Sequence, residues 1–103
     1  MQILKKLALH QVVSHDASET MIGIMKQQYF NEGIPALLPS DVSIAHKNGW
    51  IERIYHDAGI IFPLNQTPYV LVVMTSGLSE DKEAPLFVSS LSKFIFDHHL
   101  EWR

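Results

Sequence analysis

The sequence predicts an α+β fold, a three-stranded antiparallel sheet packed with about three helices. Three observations point there. Apolar residues at helical spacing occupy both ends of the chain. The middle instead shows alternation or continuous apolar runs of strand length. The strands follow one another through short connections, which implies antiparallel pairing, with the helices expected to cover one face of the sheet.

The first helix, residues 2–13, rests on Leu4, Leu7, Ala8 and Val12, which form one apolar stripe. "SHDAS" interrupts it. Asp16 with Glu19 three residues on resembles a capping box, with Asp in place of Ser or Thr. Met21, Ile22, Met25 and Tyr29 then line one side of a second helix over 17–31. Gly33 suits a left-handed residue that ends a helix, and Pro35 bars continuation. "DVSIAHK" alternates, with Val42, Ile44 and His46 on one face and Ser43, Ala45 and Lys47 on the other, which gives a half-buried strand over 41–47. "DAGIIF" gives a second strand over 57–62, stopped by Pro63. "YVLVVMT" gives a third over 69–76, apolar on both sides and so expected to be covered on both. The last helix, 84–100, has Pro85 in its first turn and a stripe of Phe87, Leu91, Phe94, Ile95 and His98. The Met and Phe residues at helical spacing are expected in the core, and the whole is expected to be one domain.

In such a meander the third strand lies at an edge, yet it is the most apolar of the three. An apolar edge invites pairing. The expected neighbour is a second copy, making a homodimer, or an N-terminal part of the protein outside these residues.

Composition excludes several classes of function. The 47% hydrophobic and 18% charged content suits a globular domain, and the net charge of -3 gives no nucleic-acid footprint. No cysteine is present, which excludes disulfides and thiolate metal sites. No apolar run approaches a membrane span, and "MQILKKLALHQVV" is interrupted too early for a signal peptide. The chain is therefore expected to be soluble, and its compartment is unspecified.

The histidines are not expected to hold a metal, and no cofactor is expected. His46 and His56 flank the connection between the first two strands, but His56 and Asp57 point to opposite faces. A cross-strand polar pair, or Asp57 accepting hydrogen bonds from the turn, is the expected alternative. His98 and His99 cannot face one ligand, and His10 and His15 straddle a helix break. Arg53 reads as a solvated hairpin charge, and Trp50 either as a wall beside Lys47 or as an aromatic packed on Tyr55.

The run "IPALLPSDVSIAHKNGW…HDAGIIF…YVLVVMTSG", followed by an amphipathic helix, resembles the C-terminal part of class A β-lactamases and their penicillin-binding relatives. Lys47-Asn48-Gly49 is similar to that family's Lys-Thr/Ser-Gly motif on a sheet strand. The resemblance implies a partial β-lactamase/transpeptidase-like fold and acyl transfer on a β-lactam or peptide-like amide. It implies that Lys47 supplies positive charge, that the backbone N–H of Trp50 is an oxyanion donor, and that Asn48 and Gly49 bind substrate. Asn48 departs from the motif, with an amide where the family has a hydroxyl. The family's Ser-x-x-Lys nucleophile motif is absent from the 46 residues before Lys47, and Ser-x-Asn occurs nowhere. Two Ser-x-x-Lys strings, Ser79…Lys82 and Ser90…Lys93, fall on the wrong side of the lysine strand. The chain is thus expected to be inactive alone, as the C-terminal portion of a serine hydrolase. The alternative is a non-enzymatic module that associates through its sheet edge.

Overall fold

The computed structural model describes residues 2–28, 30–77 and 83–99. Helices α1 (Gln2–Ala8) and α2 (His15–Met25) precede strands β1 (Ser43–Ile51), β2 (Ile54–Phe62) and β3 (Tyr69–Ser76), and α3 (Glu83–His98) follows. The sheet is antiparallel in the order β1-β2-β3, which makes the fold α+β as the sequence predicts. Among the described residues, no helix is long and apolar enough to cross a membrane.

The first two helices are shorter than their apolar stripes suggest. The N-cap of α2 is Ser14, not Asp16, and its hydroxyl accepts the Ala17 N–H at 3.0 Å. Between α1 and α2 the chain reverses through His10 and Val13, both left-handed with φ of 60° and 63°. Buried Ser18 clamps this reversal. Its hydroxyl accepts the Val12 N–H at 3.1 Å and donates to the Val12 carbonyl at 3.0 Å. α2 ends at Met25, and Tyr29 lies outside the described residues. Gly33 is not a left-handed cap, since Gly77 alone among the described glycines has positive φ. It is needed for space instead. A Cβ at Gly33 would sit 2.6 Å from the Tyr55 hydroxyl and against the Asp57 carboxylate.

The strands are longer than expected. Only Glu52 and Arg53 separate β1 from β2, with Glu52 at φ 56°. What reads in sequence as a polar connection is mostly paired strand. Trp50 lies opposite Tyr55 with ring centroids 5.3 Å apart, a cross-strand aromatic pair that fixes this register.

Helices cover both faces of the sheet, which corrects the one-face expectation. On one face Ile44, Tyr55, Ile61 and Val73 pack with Ile34, Leu38 and the α3 residues Ala84 and Val88. On the other, Ala45, Ile60, Val70 and Val72 pack with Leu4 and Leu7 of α1 and Ile22 of α2. The reason lies in β2, where the consecutive residues Ile60 and Ile61 are both fully buried and point to opposite faces, so each face needs a cover. Within this three-stranded sheet β2 is the inner strand and β3 lies at an edge, as the meander predicts. Tyr69 to Val72 are only half-buried, and Met74 is 71% exposed.

α3 turns inward a face only partly that of the predicted stripe, with Leu91 of that stripe packed against the core. Ala84, Val88 and Ser92 are buried at spacings of four, while Phe87 and Phe94 are exposed. Small side chains let the helix approach closely enough for the Ser92 hydroxyl to donate to the Ile34 carbonyl at 2.9 Å.

Gly59 lies opposite His46, and a Cβ there would meet the Ala45 carbonyl oxygen and His46 Cβ, both at 2.7 Å. Backbone cannot move aside cheaply. Gly59→Ala is expected to destabilise the fold by about 1–3 kcal/mol in denaturant unfolding.

Candidate functional site

The site is built along the outer edge of β1. The pairing register places a two-residue turn between Ile51 and Ile54, so that pair closes the hairpin with its backbone bonds. Bonded and non-bonded pairs alternate along an antiparallel ladder. Trp50 therefore turns its N–H and C=O away from β2, as do Asn48 and His46. The far side of β2 agrees with this alternation. Tyr55 O accepts the Thr75 hydroxyl at 2.8 Å, and Arg53 O accepts the Gly77 N–H at 2.8 Å, both on the β3 side.

Lys47 leaves the sheet on the α1/α2 face, but its ammonium curls back to donate to the Asn48 carbonyl at 2.6 Å. Positive charge and the outward Trp50 N–H thus share one edge. There a cleft of about 250 Å³ is lined by Phe30, Glu32, Lys47, Asn48, Gly49 and Trp50. The structure so brings together all four residues singled out in the sequence. The Asn48 side chain points to the opposite face from Lys47. Its Nδ2 donates to the Phe30 carbonyl at 3.2 Å and to the Tyr55 hydroxyl at 3.4 Å, holding residues 30–32 against the strand. Trp50 is 47% exposed and packs on Tyr55.

Beneath the edge lies a buried polar spine. Asp57 is fully buried and accepts the Ile34 N–H at 2.8 Å through Oδ2. Its Oδ1 hydrogen-bonds Nδ1 of His46 at 3.0 Å, and Nε2 of His46 hydrogen-bonds Oδ1 of Asn31 at 2.8 Å. Asn31 Nδ2 donates to the Gln28 carbonyl at 2.9 Å, which turns its amide oxygen toward the ring. His46 and Asp57 are therefore a cross-strand polar pair on one face, and His56 lies on the other. Neighbouring Tyr55 has its phenol pushed up to about 12, mainly by burial, with Asp57 and Glu32 adding to the shift and the Asn48 hydrogen bond opposing it. Burial, with Asp97, likewise pushes Tyr69 to about 12. The folded pKa values exceed the ordinary value of 10. The stability that the neutral phenols confer is present below about pH 10 and is lost as pH rises through 12. Alkaline titration by tyrosinate absorbance is expected to show these two phenols ionising only near that upper value, together with unfolding.

The remaining candidates fall elsewhere. Arg53 donates to the Gly77 carbonyl and does not join the cleft. Lys93 pairs with Asp97 at 2.9 Å on the exposed side of α3, not with Ser90. Ser79 and Lys82 lie outside the described residues. His98 stacks on Phe94 and His99 lies tilted against Tyr69, so they serve different neighbours. The helix break does not keep His10 and His15 apart, for the left-handed backbone at His10 and Val13 stacks the two rings with centroids 4.3 Å apart. Sequence reasoning missed Phe30, Glu32 and Asn31. The segment is held at the site by long-range bonds to Asn48, His46 and Asp57, for which residues 30–32 carry no local signal.

The chain thus presents an edge strand with lysine charge beside outward backbone amides, within a sheet covered on both faces. Residues 1–99 match the model of the Beta-lactamase enzyme family, and the chain belongs to that family. No curated protein sequence matches it. The structure of PBP-A is similar with a TM-score of 0.87 at 23% identity, over 96% of this chain and 37% of that one. A class A β-lactamase from Bacteroides cellulosilyticus is similar with a TM-score of 0.79 at 24% identity, over 93% and 38%. A class A β-lactamase from Mycobacterium abscessus gives 0.82 at 15% identity, over 95% and 39%. The chain thus spans less than two-fifths of the length of the structures it matches.

Proposed function

We propose that this chain is the C-terminal portion of a serine hydrolase that transfers the acyl group of a β-lactam or peptide-like amide. The observation that carries the proposal is the convergence of the Lys47 ammonium and the outward Trp50 N–H on one cleft, in a chain of this family. A PBP-A variant is described as an acyl-enzyme complex with penicillin G, which supports the substrate class.

In this reading the Trp50 amide donates to the oxyanion formed when serine attacks the carbonyl. Lys47 holds the substrate's carboxylate and keeps the field positive beside the nucleophile. Asn48 and Gly49 form the cleft wall along which the substrate lies. The serine comes from a part of the enzyme outside residues 1–103, and the chain alone does not acylate. A labelled penicillin is expected to modify the intact protein covalently and to leave the isolated chain unlabelled. Labelling of the isolated chain would overturn the division of roles, and no labelling of either would overturn the hydrolase reading.

The open edge of β3 favours a second reading, a module that binds through strand addition or as a homodimer. Concentration-dependent association in light scattering, with no acylation of the intact protein, would select it.

A further inference from the structure

We propose a transition-metal site at the turn between α1 and α2, made by His10, His15 and Glu19. These residues lie on the face of the molecule away from the proposed acyl-transfer cleft's buried spine, and nothing in that chemistry uses them. Among the described residues they are the group whose donor atoms all lie within 4.8 Å of one another.

Three features build the site. First, His15 and Glu19 are four apart on α2, so they stand on the same side of the helix, one turn from each other. Second, the left-handed backbone at His10 (φ 60°) brings its ring over His15, with centroids 4.3 Å apart and planes within 17°. His10 Nε2 already touches Glu19 Oε1. Third, the turn is fixed before any ion arrives, because buried Ser18 bonds both the N–H and the carbonyl of Val12. Left-handed backbone at a histidine and a valine so close together is unfavourable, and it persists because this clamp and the two helices over-determine it.

The chemistry selects the ion. Two imidazoles and one carboxylate suit zinc, copper or nickel, and they suit calcium or magnesium poorly. Tetrahedral zinc would draw its ligand atoms to roughly 3.4 Å from one another. The stacked rings aim their nitrogens in nearly parallel planes, so binding requires His15 to turn out of the stack, and the side chains of His15 and Glu19, 70% and 58% exposed, have the room to move. Three protein donors leave a fourth position open to water or to a group brought by a partner. Asp16, whose carboxylate lies 3.9 Å from His15, adds negative charge beside the ion.

The test is zinc titration of the intact protein by calorimetry, with His10→Asn, His15→Ala and Glu19→Gln as variants and His98→Ala as control. Asparagine tolerates the left-handed backbone, and the other two positions are exposed, so the variants should unfold at the parent's midpoint without metal. The parent and the control are expected to bind one zinc equivalent more than the variants, or to bind it at least about tenfold tighter. Cobalt in place of zinc should give the visible absorption of a four-coordinate site in the parent and lose it in each variant. Equal zinc binding by parent and variants would overturn the site. So would an equal loss in the His98 control, or the absence of any zinc-dependent shift in the parent's melting temperature.

Discussion

Asp57→Ala is expected to lower the unfolding free energy by about 3–5 kcal/mol, the range for removing one member of a buried ionisable pair. Asp57 is 0% exposed, and its two oxygens serve the Ile34 N–H and His46 Nδ1. Truncation removes that partner from both in a fully buried site. A chain of 103 residues has a total stability of only roughly 5–15 kcal/mol, so this loss removes a large share. The damage should reach the cleft as well. Ile34 anchors the segment that carries Phe30 and Glu32, and His46 adjoins Lys47. Denaturant unfolding of Asp57→Ala, His46→Ala and the double variant checks this. The double variant is expected to cost less than the sum of the singles, because the second deletion removes a group already left unpaired. Strict additivity would mean that the pair contributes nothing as a pair.

Lys47→Ala is expected to do the reverse, with little effect on stability and a large effect on chemistry. Its side chain is exposed and makes its hydrogen bond to the neighbouring carbonyl. Unfolding should shift by no more than about 0.5 kcal/mol, as for most surface changes. In the proposed enzyme the acylation rate should fall about 10²–10³-fold, the scale for losing one preorganised charge-stabilising group. Stopped labelling with a fluorescent β-lactam measures that rate. Lys47→Arg keeps the charge but changes its geometry, and is expected to fall between the two. An unchanged rate in Lys47→Ala would remove the lysine from the mechanism.

Much of this was legible in the sequence because it depends on short-range patterns. Alternation in "DVSIAHK" and the apolar run of "YVLVVMT" both mark paired strands, and Lys47, Asn48 and Gly49 lie among the residues that line the cleft. The failures share a different cause. Whether a helix covers one face or the other is set by packing against β2, where Ile60 and Ile61 demand cover on both sides. Along α3 the apolar spacing places Leu91 against the core correctly, but residue size decides the rest of the inward face. Ala84 and Ser92 fit close to the connector, and Phe87 and Phe94 do not. The stretch from Asn48 to His56 looked like a loop because its polar residues suggest solvent, whereas Asn48 and Asp57 are opposite one another with internal partners. The meeting of Asn31 with His46, 15 positions apart, carries no periodic trace at all.

The alternation along β1 divides labour within a single ribbon. Side chains at 46 and 48 face inward to the spine and to residues 30–31, while every second peptide group on the outer margin turns away from β2, the Asn48 carbonyl among them taking the Lys47 ammonium. New reactivity can therefore be acquired there by swapping what approaches the margin, without retuning the interior that holds it straight. Drift at the even-numbered side chains, by contrast, would bend the margin itself and alter whatever docks along it.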